Sequence, residues 1–439
     1  MSLFGLISRR ILDETPAPVI RDAFERARLI SHFAIAQAAV QCIGFLSGIL
    51  LVRWLPQQEY AYFTIANTMQ GTLNMLADIG ISVGLISIGG RVWHDRQRFG
   101  QLINTALDVR RKLGALAIIV VTPVLYFMLS NNGAPVFYNL VLIVLVVSGL
   151  LVQLSVGVLA VVPRLRSDTT QILLIDLTGA IVRLLVLFAC IYVFMNAGVA
   201  IAVATATLLL QYALLRKYVG GVVDLSAPEN SEDRRAIIGF VRKLAANAIF
   251  YCFQGQITIF LISFFAHRST SVAEVGALGR LAMIFTVLSS LLANVFVPAF
   301  ARCQSARKLR LLYVTIVGGV GCFSLLVVCA AAVFPNEFLF ILGSKYGHLQ
   351  QELVLMVAGA VLNALAGALW ALNSSRAWIS GSWLYIPLTL TTQIALIPFT
   401  DFSSVNGVLL FNLISAVPAL LLNLALSFRG FSALPSNVP

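Results

Sequence analysis

The stretch Val136–Val162 reads VFYNLVLIVLVVSGLLVQLSVGVLAVV and holds no charged side chain. A helix that is apolar on every face has no side to show to water, so it belongs in lipid or deep in a large core. A hydrocarbon layer of about 30 Å takes about 20 such residues, and this run is long enough to cross it. The rest of the chain decides between the two. Of its 439 residues, 59% are hydrophobic and 11% charged, and the mean hydropathy is +0.92. Soluble domains carry roughly 25% charged residues, and one core could not bury this much apolar surface. The chain reads as a polytopic integral membrane protein.

Comparable runs lie on both sides of that stretch. Spans are expected near 31–53, 61–89, 112–130, 136–162, 171–195 and 197–215. After a polar interval they resume near 239–266, 272–300, 311–334, 351–373, 377–397 and 405–428. The expected fold class is all-α, with about twelve transmembrane helices in two lobes of six. Cytoplasmic connections of membrane proteins are enriched in Lys and Arg. With the N-terminus inside, most of the 30 cations fall on alternate connections, from the Arg9–Arg28 group through Arg91–Lys112, Arg164, Arg166 and Arg216–Lys243 to Arg302–Arg310, Arg376 and Arg429. The opposite connections hold only Arg53, Arg268 and Lys345. Both termini are therefore expected in the cytoplasm.

The domain reading follows: a cytoplasmic segment 1–30, a first lobe 31–215, a linker 216–238 containing the polar run SAPENSED, a second lobe 239–428 and a tail 429–439. Leu3–Leu12 reads as a short amphipathic helix on the membrane surface. The first thirty residues are studded with charges and have no apolar h-region, so no cleaved signal is expected. A faint repeat supports equivalent halves: Glu59-Tyr60-Ala61-Tyr62 opens the second span and Glu274-Val275-Gly276-Ala277 opens the eighth.

The formal net charge of +12 is scattered through short connections without an aromatic-interleaved patch, which argues against nucleic acid as a partner. Six cysteines without CxxC spacing are expected as reduced thiols. The four histidines are dispersed and form no metal-ligating pair, and no nucleophile elbow, P-loop or dinucleotide fingerprint is present. No metal or cofactor and no enzymatic activity are expected.

Chemistry is then carried by polar groups within the spans, which are costly in lipid. Gln37 and Gln41 share a face of the first span. Asn67, Gln70, Asn74 and Asp78 form a stripe on the second. Asp176 and Arg183 lie two turns apart on the fifth. Gln254 and Gln256 sit in the seventh, and Arg280 and Asn294 in the eighth. An amide in a bundle is more often interhelical glue than a ligand. A cation at mid-membrane is a stronger signal, because it needs an anion or water. The binding candidates are Arg183, Arg280, Arg53, Asn67, Asn74 and Gln254; Asp78 and Asp176 are candidates for ion coupling or charge pairing.

The segment Gly48–Gly84, GILLVRWLPQQEYAYFTIANTMQGTLNMLADIGISVG, resembles the Wzx-type polysaccharide-biosynthesis flippases of the multidrug/oligosaccharidyl-lipid/polysaccharide (MOP) exporter superfamily. A first helix ends there in an Arg-x-Leu-x-x-x-Glu-Tyr turn, Arg53–Tyr60, ahead of a polar-striped second helix. Ala61 stands where a glycine usually follows the Glu-Tyr pair. The resemblance implies a MATE-like fold with a central cavity and alternating access in a bacterial inner membrane. The cargo would be a polyprenyl-diphosphate-linked oligosaccharide for O-antigen or exopolysaccharide, with membrane lipid and a coupling ion, proton or sodium, as partners. It also implies that Tyr62, Tyr251 and Trp370 meet sugars. Arginine suits the diphosphate through its planar pair of donors. The alternatives are a cation-coupled multidrug exporter of the same superfamily, using Asp78 and Asp176; a membrane glycan polymerase or ligase, disfavoured by short outer connections; and a scaffold indifferent to the intramembrane charges.

Overall fold

In a computed structural model the structure describes residues 37–166, 168–191, 194–266, 268–292, 296–303 and 305–432. The expected 1–30 segment with its Leu3–Leu12 helix, and Asn294, lie outside the described residues.

Among these residues the regular structure is helical. The helices of the first half are α1 Gln37–Trp54, α2 Gln57–Asp78, α3 Ile81–Val92, α4 Arg96–Asn131, α5 Val136–Leu165, α6 Thr169–Ile191 and α7 Ala197–Val222. Those of the second are α8 Ser231–Phe265, α9 Ser269–Ser289, α10 Val297–Arg302, α11 Ala306–Val333, α12 Pro335–Leu342, α13 Gln350–Ser375, α14 Tyr385–Leu396 and α15 Val405–Ser432. Their starts are set by local chemistry. The Asp95 carboxylate accepts from the Gln97 and Arg98 amides, Asn196 from Val199, and Asn230 from Glu232, each relieving a free amide of a first turn.

Ten described helices are long and apolar enough to cross a membrane, and α2 with α3 makes an eleventh, bent by 46°. The bend falls at Gly80, whose φ of +82° a side chain would oppose. The expected span near 377–397 is the exception to the twelve. There α14 has 12 residues, bounded by 3₁₀ turns at Ser382–Leu384 and Ile397–Phe399. Gly381 at φ +99° delays its start, and Pro398 lies in the turn that ends it. Because 3₁₀ turns rise about 2.0 Å per residue, the whole 382–399 segment still extends about 30 Å.

Two expected connections are largely helix. The 90–111 region belongs mostly to α3 and α4. The 216–238 linker shrinks to a connection over 223–230, which is fastened to α4. Asn104 Nδ2 donates to the carbonyls of Leu225 (3.0 Å) and Ala227 (2.7 Å), and Thr105 Oγ1 accepts from the Asn230 amide. Arg98 pairs with Asp233, and Arg234 with Asp108 at 2.8 Å. Of the charges that read as a solvated linker, Glu229, Asp233 and Arg234 are held in ion pairs.

Apolar side chains cover the outside: Phe137, Phe399, Leu326 and Leu185 are more than 60% exposed, as lipid contact requires. Large buried residues such as Tyr60, Phe63 and Met69 centre on α2. One end of the bundle carries the cation-poor connections, and here the halves meet. Tyr60 Oη donates to the Gly276 carbonyl (3.3 Å), with Gly276 so close to Thr64 that a Cβ would collide. Arg53 Nε donates to the Ile341 carbonyl (2.9 Å) and Nη2 to that of Phe340, while Lys345 Nζ donates to the carbonyls of Arg53 (3.1 Å) and Leu55 (2.9 Å). Toward the cation-rich end α8 packs on α2, α3 and α4. Among the described residues, every hydrogen bond from α9–α15 to the first half lies in the portion of the bundle nearer the cation-poor end. The halves are clasped at that end.

Candidate functional site

Helix rise places the two intramembrane arginines at similar depth. Arg183 lies eight residues from the cation-poor end of α6, about 12 Å, and Arg280 eleven residues from that end of α9, about 17 Å. One comes from each half, and Arg280 is the charged neighbour that Arg183 senses. Neither takes part in an ion pair among the described residues. The Nε of Arg183 is buried with no hydrogen-bond partner. The Arg280 guanidinium lies 5.8 Å from the Phe63 ring centroid, and its Nε donates to Tyr60 Oη at 3.3 Å. It crosses α1 at Gly48, where a Cβ would sit 3.2 Å from Arg280 Cδ. Two half-buried cations that sense one another and have no ion-pair partner among the described residues form a site short of an anion.

The other expected residues are distributed differently. Asn67 is exposed, one turn along α2 from Phe63 and thus next to Arg280's seat. Asn74 and Asp78 turn instead to Arg110 on α4: Arg110 Nη2 donates to Asn74 Oδ1 at 3.1 Å and lies 3.6 Å from Asp78 Oδ1, which also accepts from Ser82 Oγ at 2.7 Å. Arg110, expected in a cytoplasmic connection, is 3% exposed and packed against Gly157. Asp176 has no contact with Arg183; seven residues of helix separate them by about 10 Å, and its charged neighbour is Arg164. Gln254 accepts from Gln393 Nε2 at 2.9 Å, tying α8 to α14. Arg53 lies at the cation-poor end, where it lines a cavity of about 660 Å³ and the last carbonyls of α12 occupy its guanidinium, a favourable place for a cation. Tyr62 is also withdrawn: it is 2% exposed, accepts from Gln58 at 2.6 Å and packs edge-on against Tyr138.

Two cavities complete the region. In the second half, α8, α13, α14 and α15 enclose about 280 Å³ lined by Tyr251, Tyr385, Trp370, Asn363 and Asn423. The Tyr251 and Tyr385 rings are stacked at 5.4 Å and 14°. A second cavity of about 710 Å³, almost wholly apolar, runs between α1 and α9, α11, α12 and α13 past Phe45, Leu46, Phe285 and Phe323. It adjoins the arginine site through Met283, whose sulfur lies 3.9 Å from Arg280 Nη1. Sequence reasoning missed Arg110, Gln393 and Tyr385. For Arg110 a signal existed: Ile103, Ala106, Arg110, Gly114 and Ala117 continue one buried helical face through the charged run.

No family model matches the chain, and no curated protein matches it. Solved structures do. The chain is similar to a multidrug resistance MATE family transporter of the MOP superfamily in its inward-facing conformation, with 15% identity and a TM-score of 0.63 over 91% of this chain and 100% of that one. It is similar to an outward-facing structure with that same description at 15% identity and 0.59, over 92% and 95%. A eukaryotic MATE transporter aligns at 13% identity and 0.57, over 92% and 96%. These likenesses establish the fold of the MATE transporters for a multi-pass membrane protein.

Proposed function

We propose that this chain is a flippase that carries a polyprenyl-diphosphate-linked oligosaccharide across the bacterial inner membrane by alternating access, with both termini in the cytoplasm. The observation that carries this reading is the pair Arg183 and Arg280, one from each half, close enough to sense each other's charge and neither in an ion pair among the described residues. A diphosphate supplies the missing charge, and its oxygens suit the guanidinium fork. The apolar groove beside Arg280 suits a cargo that is part lipid. The clasp at the cation-poor end, where the hydrogen bonds from α9–α15 to the first half are gathered, fits a transporter closed to the outside, as the cation distribution orients it.

A second reading is a cation-coupled multidrug exporter, favoured by the descriptions of the similar structures. The carboxylates weigh against it. Asp78 lies 3.6 Å from Arg110, so it is not free to receive a cationic drug, and Arg164 is the charged neighbour of Asp176. Asp78 stays the candidate for ion coupling, since it joins Ser82 and Arg110 across the α2–α3 bend. Deletion of the chain tests the two readings together. The flippase reading expects lipid-linked repeat units to accumulate on the cytoplasmic leaflet and surface polymer to be lost. Normal polymer with new drug sensitivity would favour the exporter.

A further inference from the structure

We infer that the aromatic pocket of the second half is a sugar subsite that holds an uncharged pyranose ring of the cargo, an inference that rests on the lipid-linked glycan reading. A pyranose has C–H faces that are apolar and a rim of hydroxyls that both donate and accept. It needs a flat apolar platform flanked by neutral polar groups. The pocket supplies both. Tyr251 and Trp370 are 45% and 41% exposed, and Tyr385 backs the Tyr251 ring in a parallel stack. Aromatic rings give rigid contact area with two torsions to fix.

The polar groups point to a ligand rather than to lipid. Asn423 is 6% exposed, and its Oδ1 has no hydrogen-bond partner. On α13, Asn363, Gly367, Trp370 and Ser374 are all exposed and repeat at helical spacing, which makes one polar-edged face. A lipid chain in this gap would leave Asn423 and Asn363 facing hydrocarbon, at the cost of their hydrogen bonds. No charged residue lines the pocket, so nothing there would pair with a uronic acid.

Its depth also fits. Tyr251 and Asn363 lie about 20 Å from the cation-poor end, against about 12–17 Å for the two arginines. A sugar held there sits several ångströms toward the cation-rich side of the phosphates, the offset a diphosphate linkage spans.

The test uses the full chain in nanodiscs of phosphatidylethanolamine, phosphatidylglycerol and cardiolipin, applied to an array of immobilised neutral, N-acetylated and uronic-acid oligosaccharides lacking lipid and phosphate. Retention on neutral or N-acetylated glycans is expected, at least tenfold weaker for Trp370→Ala and Tyr251→Ala and near wild type for the conservative Trp370→Phe. Wild-type retention by both alanine variants, preference for uronic acids, or no retention by the wild type would each overturn the subsite. The flippase reading stands or falls separately on the deletion phenotype. Trp370-dependent glycan retention in a protein whose deletion leaves polymer intact would keep the subsite and remove the flippase.

Discussion

The protein treats its buried arginines in two ways. Arg110 is enclosed within the first half, gripped by Asn74 and Asp78 on α2. Arg183 and Arg280, one in each half, sense each other's charge with no carboxylate paired to either among the described residues. All three are expensive to hold away from water. A cation whose counter-charge is built in stabilises one packing and is indifferent to cargo. A cation left without one is satisfied only when something anionic arrives. On the proposed reading, that difference separates a structural arginine from a binding arginine without reference to sequence position.

The largest effect should come from breaking the enclosed pair. Arg110→Ala leaves the partly exposed Asp78 carboxylate without its cation and the Asn74 carbonyl oxygen without its donor, which costs about 1–3 kcal/mol. The expected outcome is a protein lost from the membrane fraction. Arg110→Met with Asp78→Leu removes both charges and should recover much of the abundance, as replacing a buried pair by apolar groups often does. Wild-type abundance and transport for Arg110→Ala alone would erase the contrast with Arg183.

Next come Arg183 and Arg280. Arg183→Gln or Arg280→Gln should leave membrane abundance normal, since no counter-charge is orphaned, and reduce transport roughly 100-fold. That is about 3 kcal/mol, the scale of one or two hydrogen bonds to a charged group. Lysine keeps the charge and loses the fork, so roughly tenfold is expected. Full transport by both Gln variants at wild-type levels would sink the binding role, and loss of the protein would move them into Arg110's class.

How much of this was legible in the sequence depends on who the partner is. Lipid is the same partner all along the chain, so hydropathy and alternating cations located nearly every helix; α14 was overestimated because Gly381 and Pro398 limit its α-helical run. Arg183 and Arg280 stood out because a cation within an apolar run is anomalous wherever it points. Arg110 did not, because Arg110-Arg111-Lys112 looks like an ordinary topological signal. Only the extension of α4 down to Arg96 turns it inward. The amides were least legible. Asn67, Asn74 and Gln254 are equivalent as letters, yet one is exposed, one holds Arg110 and one bonds Gln393 139 residues away.

A smaller effect is expected at the clasp. Arg53 caps the last carbonyls of α12 across the two halves while remaining exposed. Arg53→Met should weaken closure at the cation-poor end by about 1–2 kcal/mol, the worth of a hydrogen bond or two. The inference is that it shifts the conformational balance roughly 5–30-fold toward opening there. The measurement is the labelling rate of a single cysteine placed at Ser344 by a membrane-impermeant maleimide, which should rise. An unchanged rate would mean that Tyr60, Gly276 and Lys345 hold the end shut without Arg53.

The smallest effect should belong to Gln254, although its sequence gave it the same standing as Asn67. Gln254 and Gln393 satisfy each other at 2.9 Å between α8 and α14, and Gln393 is 6% exposed. Interhelical hydrogen bonds in membranes average about 0.6 kcal/mol, because amides also find partners when the helices part. Replacing both with leucine removes the bond and leaves no orphan, so thermal stability in detergent should change by about 1 kcal/mol or less and transport by less than about threefold. Gln393→Leu alone should be the worse variant, since it strands the Gln254 carbonyl oxygen. If the double variant instead lost transport as severely as Arg280→Gln at normal abundance, Gln254 would be a cargo ligand. The line between paired and unpaired polar groups would then no longer separate structure from binding.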